Sequence, residues 1–193
     1  MRALITVNVF LAIFLCSSPG YGQLNRDGGS TGTLNHDYFY PDKDAHTQWL
    51  IKDIEKYHLE PAKAHFQGGQ LKDAIGDLDY LLARIVNHPE ALMLLGALAR
   101  LTKSPALPVP YYERALKLYP QYAVTHAQYG AYLIDVGNNK AGIAHLNKAL
   151  ELNPDLALAH AWLAKAYYKD GNVELARQAA AQARTFGYKG KIE

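Results

Sequence analysis

Histidine and aspartate are the residues of this chain best suited to chemistry, and their spacing limits what that chemistry could be. Of the eight histidines, His126 and His160 are 34 residues apart, and His58 lies in the same register two such steps before His126. Imidazole is a common metal ligand, so a pair on neighbouring helices could share an ion. No His-x-x-x-His spacing or carboxylate-rich frame accompanies them, however. Hydrogen-bonded interior histidines are therefore expected, with no metal. His145, with Asn147 nearby, adds nothing specific. Asp73, Asp77 and Asp79 cluster on one segment, and Asp73 and Asp77 share a helical face at i,i+4. Paired carboxylates do acid–base work only around a pocket that holds a substrate, so a solvated helix surface is expected. A phosphate-cradling glycine loop, a nucleophile elbow and a zinc-protease motif are all missing from the sequence. The expectation is a protein that is not an enzyme, with no cofactor and no small-molecule substrate.

The first residues bear on location. Met1-Arg2 supplies one positive charge, Ala3 to Leu15 is almost unbroken apolar sequence, and Ser17 to Gly22 brings small and helix-breaking residues. That order reads as a secretory signal over 1–22, cleaved before Gln23. The apolar stretch is shorter than the ~20 residues that span a bilayer, which disfavours an uncleaved anchor. Phe14-Leu15 precede the single cysteine, Cys16, where a lipid-attachment signal would carry small residues. Loss of Cys16 would leave neither a disulfide nor a thiolate. An exported protein is expected, in the periplasm or cell envelope. With 49% hydrophobic residues, 20% charged residues and a net charge of +2, the composition is that of an ordinary globular chain and gives no reason to expect nucleic acid.

Residues 23–46 are rich in Gly, Asn, Asp, Ser and Thr without an apolar period, and read as a flexible tether. Tyr38, Phe39 and Tyr40 are the exception; they are expected to pack back on the first helices, or else to serve as a docking motif. The helical period starts at Thr47, with Leu50, Ile54 and Tyr57 on one stripe. Pro61 suits the first turn of a new helix that runs to Gln67. A longer helix carrying Ala74, Leu78, Leu81, Leu82 and Ile85 ends near Asn87-His88-Pro89. Three further helix pairs follow: Glu90–Leu101 with Pro108–Leu118, Ala123–Val136 with Lys140–Leu152, and Asp155–Lys169 with Val173–Thr185.

One spacing organises these pairs. Gly137 and Gly171, Ala149 and Ala183, Pro120 and Pro154, and Gly96 and Gly130 are each 34 residues apart. Small residues recur where helices must approach closely, and large ones fill the spaces between. In this pattern the chain resembles the tetratricopeptide repeat family, with clear copies from about residues 89, 123 and 157 and a degenerate one from about 55, in which Pro61 replaces the usual Leu. The resemblance implies an all-α fold, a right-handed superhelical array of helix-turn-helix repeats (an α-solenoid) with an N-terminal capping helix. The repeat domain is expected over 47–188, followed by a tail at 189–193.

The resemblance further implies a concave face built by the first helix of each pair. Transferred position by position, its partner-binding residues would be Lys63, Phe66, Met93, Arg100, Leu101, Ile134, Leu158, Lys165, Tyr168 and Lys169. The mixture of cations and apolar side chains suits a protein or peptide segment of acidic character. The five-residue clamp by which some members hold acidic chaperone tails is absent, its places being taken by Leu59, Lys63, Leu94, Val124 and Gln128. A small-residue face on the last helix, comprising Leu175, Ala176, Ala179, Ala180 and Ala183, either tolerates solvent or meets a partner or a second copy. The function expected is a non-catalytic adaptor or scaffold. The alternative is an assembly factor for an envelope machine such as a pilus or secretion system, acting through its terminal helices.

Overall fold

Side-chain caps from His88, Asn138 and Asn172 open the helices that follow them, and left-handed residues turn the chain inside each hairpin. The computed structural model describes residues 36–39 and 45–192; the expected leader and most of the expected tether lie outside them. The helices are α1 (Ala45–Ile54), α2 (Glu60–Gln67), α3 (Leu71–Arg84), α4 (Pro89–Leu101), α5 (Val109–Leu118), α6 (Ala123–Asp135), α7 (Asn139–Leu152), α8 (Ala157–Lys169) and α9 (Val173–Thr185). α2/α3, α6/α7 and α8/α9 are close pairs, α4 packs on α3 and α6, α5 packs on α6, and the helices stack into an α-solenoid. The three clear repeats start at the residues the 34-residue step marks.

The turns inside the hairpins share one construction. At Gly137 φ is +92° and at Gly171 it is +77°. The N–H that follows reaches back five residues, Asn138 to the Leu133 carbonyl and Asn172 to the Tyr167 carbonyl, each at 2.8 Å. This double closure satisfies carbonyls that the helix end leaves open. Lys103 occupies the same register in the second hairpin and adopts φ +53° without being glycine. A side chain in that region costs roughly 1–2 kcal/mol. Asn138 and Asn172 then cap α7 and α9 with their side chains, accepting from the N–H groups of Ala141 and Leu175.

The first helix departs from expectation. Instead of a capping helix that stops before Pro61, α1 runs into α2 through a π-helical turn, Glu55–Leu59, with the Glu60 N–H bonded to the Glu55 carbonyl. Proline lacks an N–H and crowds the carbonyl four residues earlier; widening the helix by one residue just before Pro61 relieves both conflicts. The capping segment and the first repeat helix are thus one rod.

Packing follows the small residues. Ala115, Ala149 and Ala183, each 34 residues from the next, are completely buried. Between α6 and α7 the approach is closest. A Cβ on Gly130 would lie 2.8 Å from the Gly142 carbonyl oxygen and from Leu146 Cγ, and one on Gly142 only 2.5 Å from Ile134 Cγ1. One level earlier, Gly96 leaves room for the ring of Tyr132, whose hydroxyl donates to the Pro105 carbonyl at 2.6 Å. Tyr112 is buried and stacks on Tyr129 with ring centroids 4.9 Å apart, joining α5 to α6.

Gly142→Ala should therefore destabilise by about 1–3 kcal/mol through overpacking. Gly76→Ala on α3, where an added Cβ meets nothing within 4 Å, should stabilise by up to ~1 kcal/mol through helix propensity. Urea denaturation of the two variants checks the contrast; a neutral Gly142→Ala would show that the α6–α7 spacing is not set by glycine.

Candidate functional site

The first helices of the four repeats, α2, α4, α6 and α8, carry the residues expected on the concave face, and a chain of polar contacts ties them side to side. Lys63 Nζ lies 2.9 Å from Glu60 and 2.7 Å from Glu90, linking α2 to α4. Gln128 Nε2 donates to the Pro89 carbonyl at 3.2 Å, linking α6 to α4. Asp135, at the end of α6, accepts from Arg100 Nη1 at 3.3 Å and from Lys165 Nζ at 2.9 Å. Lys169 Nζ donates to the Ile134 carbonyl at 3.0 Å, a favourable place for a cation because it is a helix C-terminus. Lys165 also sits 4.2 Å from the centre of the Trp162 ring.

These contacts revise the expected site. The cations Lys63, Arg100 and Lys165 are each committed to carboxylates of the chain itself. Burial works to lower the Lys63 pKa, but its bonds to Glu90 and Glu60 outweigh that and raise it. Asp135 is the hub, and its pairing with both cations was not read from the sequence. Its signal was the placement of Arg100 and Lys165, 35 and 30 residues away, within four residues of one repeat step on either side. Among the apolar residues, Met93 is 41%, Leu101 53% and Tyr168 62% exposed, whereas Phe66 and Leu158 are half-buried. Ile134 does not belong to the face: it is completely buried, filling the space left by Gly142.

The small-residue face of α9 is also corrected. Ala176, Ala179 and Ala183 are buried, Ala179 in the core shared with α8, against which Ile192 from the tail also packs. What remains open at that end is a cavity of about 340 Å³ lined by Ala164, Tyr168, Val173, Ala176, Arg177, Ala180 and Ile192.

Among the described histidines, His88 and His126 are buried, while His58, His65, His145 and His160 are partly exposed and hydrogen-bonded. His126 and His160 each direct Nε2 to a carbonyl six residues back, Pro120 at 3.1 Å and Pro154 at 2.8 Å. They do not converge on a shared ion. His126 Nδ1 lies 3.1 Å from His145 Nδ1. Since a carbonyl only accepts, His126 carries its proton on Nε2, and His145 donates through Nδ1 to the His126 lone pair. The third member of the register, His58, meets Asp77 at 3.4 Å, and His65 meets the same carboxylate at 3.0 Å. Asp77 is therefore a bridging group rather than a solvated one. Asp79 accepts from the Tyr111 hydroxyl at 2.7 Å; burial and that carboxylate push the Tyr111 pKa up to about 12. Among the described residues, no group of three or more His, Cys, Asp or Glu side chains gathers where it could hold a metal.

The family question can now be settled. A family model described as TPR repeat matches residues 130–171, and one described as Tetratricopeptide repeat matches residues 59–123, so the two take in more than half of the chain. The chain is a tetratricopeptide repeat protein. As such it is built as a protein-interaction module. Among solved structures it is similar to one described as "Crystal structure of MamA", with 20% identity, a TM-score of 0.53, and 74% of this chain and 88% of that one covered. It is also similar to MamA 41-end from Desulfovibrio magneticus RS-1, with 18% identity, a TM-score of 0.53, and 73% and 84% covered. A third is YrrB, described as a TPR protein with an unusual peptide-binding site, with 18% identity, a TM-score of 0.50, and 75% and 78% covered. At these identities the likeness concerns the fold. No curated protein matches the chain by sequence.

The histidine pair generates a pH prediction. Burial lowers the pKa of both His126 and His145, with nearby Lys148 adding to the first and His126 to the second, while the Pro120 bond and Glu151 oppose it at His126. The unfolded chain therefore takes up protons first as pH falls below ~6.5, and stability is lost from there down through the lowered folded values. His145→Asn should keep a donor near the place of Nδ1 while removing one titration. The loss in urea midpoint between about pH 7.5 and 5.5 should be smaller for this variant than for the wild type, and equal losses would overturn the assignment.

Proposed function

We propose that this tetratricopeptide repeat protein is a non-catalytic adaptor that holds a protein segment along the face of α2, α4, α6 and α8. One observation carries the reading: Met93, Leu101 and Tyr168 stay largely exposed on a face whose first helices are fastened to one another. Apolar anchors on a rigid, preorganised surface are what a bound segment needs. Arg100 keeps half of its side chain exposed while touching Asp135. A carboxylate on the partner would exchange with Asp135 for Arg100 and Lys165, which favours a segment of acidic character. The leader read over 1–22 supports action outside the cytoplasm, in the periplasm or cell envelope.

A second reading, assembly through the terminal helices, draws on the 340 Å³ cavity beside Tyr168 and Val173. The next repeat's first helix would stack at this end if the array continued. Self-association or docking of an envelope component would use that place.

Photo-crosslinking in intact cells, with reactive groups at Met93, Arg100 and Tyr168 and a control on the outer surface of α5, tests both readings. Capture of one partner from the face positions alone is expected, and Lys165→Glu with Lys169→Glu should weaken that capture at least about tenfold. Unchanged capture and unchanged salt dependence would refute the charged part of the face. Val173→Glu should spare capture under the adaptor reading and abolish self-capture under the assembly reading.

A further inference from the structure

Residues 36–39, expected within a flexible tether, are fastened. The His36 N–H donates to the Arg84 carbonyl at 2.7 Å, and His36 forms a parallel bridge with Ile85. The Tyr38 N–H donates to Asn87 Oδ1 at 2.8 Å, and Asn87 Nδ2 donates to Asp37 Oδ1 at 2.8 Å. The hydroxyl of Tyr122 donates to the other oxygen of Asp37. Tyr38 lies against the His88 ring at 4.4 Å, and Phe39 against Tyr122 at 4.7 Å. Tyr38 and Phe39 thus rest on the turns that lead into the second and third repeats, and Tyr38 also packs against the core to which Ile54, Leu59 and Ala62 of the first rod belong.

This arrangement is a built recognition site. Asn87 is completely buried, and the oxygen and nitrogen of its amide both turn to the strap. His88 and Tyr122 occupy the same position in successive repeats, the residue just before α4 and just before α6. They offer two rings one repeat apart to two consecutive aromatic side chains. His88 is fixed from behind, donating to Glu55 at 3.1 Å and capping α4 through Ala91. Asn87 Oδ1 reads a backbone N–H, which any extended chain supplies. The two donors on Asp37 read a carboxylate, which only an acidic residue supplies. Charge-assisted bonds and paired rings on an extended segment are a recurring mode of peptide recognition.

We propose that the shelf formed by Asn87, His88 and Tyr122 is a second peptide-binding site, distinct from the concave face, that selects an extended segment with Asp followed by two aromatic residues. In this chain His36–Phe39 fill it in cis. The strap's placement comes from a few side-chain and backbone bonds without helix or sheet of its own, so a partner segment with the same pattern competes for the shelf. Attachment to the chain gives the strap a high effective concentration, which lowers the apparent affinity of any competitor by the fraction of time the shelf is open.

The probe is a fluorescent synthetic peptide with the sequence of residues 34–41. Full-length chain carrying Asp37→Ala and Tyr38→Ala should bind it at least about tenfold more tightly than wild type, because the shelf is freed. Adding Asn87→Ala to that variant, or replacing the peptide's Asp by Ala, should each remove the gain. Equal binding by the wild-type and strap variants, or binding indifferent to Asn87 and to the peptide's Asp, overturns the proposal. If the strap variant fails to fold, the wild-type chain decides. Excess peptide, at about the millimolar concentration a short tether supplies, should speed hydrogen exchange at the Tyr38 amide while leaving the helical amides unchanged. Unaltered exchange at Tyr38 overturns the proposal equally.

Discussion

The structure depends on how closely two helices of a hairpin can approach. Between α6 and α7 the approach is set by Gly130 and Gly142, whose absent side chains leave less than 3 Å to the neighbouring atoms. At the equivalent places of the first and last hairpins stand Ala62 with Ala74 and Ala164 with Ala176, and in the second Gly96 with Pro108. This spacing fixes the pitch of the stack, and the pitch decides which residues of successive first helices face one another. Asp135 can take Arg100 from one side and Lys165 from the other only because α4, α6 and α8 lie side by side. Interiors are packed too densely for such a spacing to drift.

The fold was legible because the period is written in residues with a steric role. Gly137 and Gly171 mark the turns, Ala115, Ala149 and Ala183 mark the close approaches, and Pro89 opens α4 at its first position. Lys103 shows the limit of reading turns from glycine alone: the same left-handed turn forms there with a lysine. The π-helical turn before Pro61 was not legible either. A proline inside an apolar period reads as a boundary, and only the continuity of α1 and α2 shows that the chain widened its helix rather than ending it.

The candidate site was legible in outline and not in detail. Phe66, Arg100, Ile134 and Tyr168 share one repeat position, and the sequence reading treated them alike. Their fates differ because the residue facing them eight positions later differs. Gly142 leaves a hole that Ile134 fills, whereas Ala74, Pro108 and Ala176 leave none as deep, and Phe66, Arg100 and Tyr168 remain partly or largely at the surface. The charges were misjudged for a related reason. A residue count assigns Lys63, Arg100 and Lys165 to the face as free cations, but their partners Glu90 and Asp135 come from neighbouring helices, which a single repeat cannot reveal. Partly exposed ion pairs contribute only about 0–1 kcal/mol. Exchanging one carboxylate for another would therefore cost little, and such pairs set register and selectivity more than affinity.

The two ends of the array are finished by different means, which bears on how it can be used. At the N-terminal end, α1 extends the first rod, and the strap at 36–39 spends its polar groups on Asn87 and Tyr122. At the C-terminal end no further helix follows α9 within the described residues. Tyr188 closes the last helix through the Ala183 carbonyl at 2.8 Å, Phe186 stacks on His160 at 5.4 Å, and Ile192 packs back on the core. A tail of a few residues covers the edge of a helix pair but not its width, and a cavity of about 340 Å³ stays open beside Tyr168. That residue belongs both to the concave face and to the cavity rim. The other end of the face lies at Lys63 and Glu90. Burial and the charges of Glu55 and Glu90 raise the pKa of the Tyr38 phenol there, which puts the strap within the electrostatic reach of that end of the face. The shelf therefore lies beside the Lys63–Glu90 end of the face.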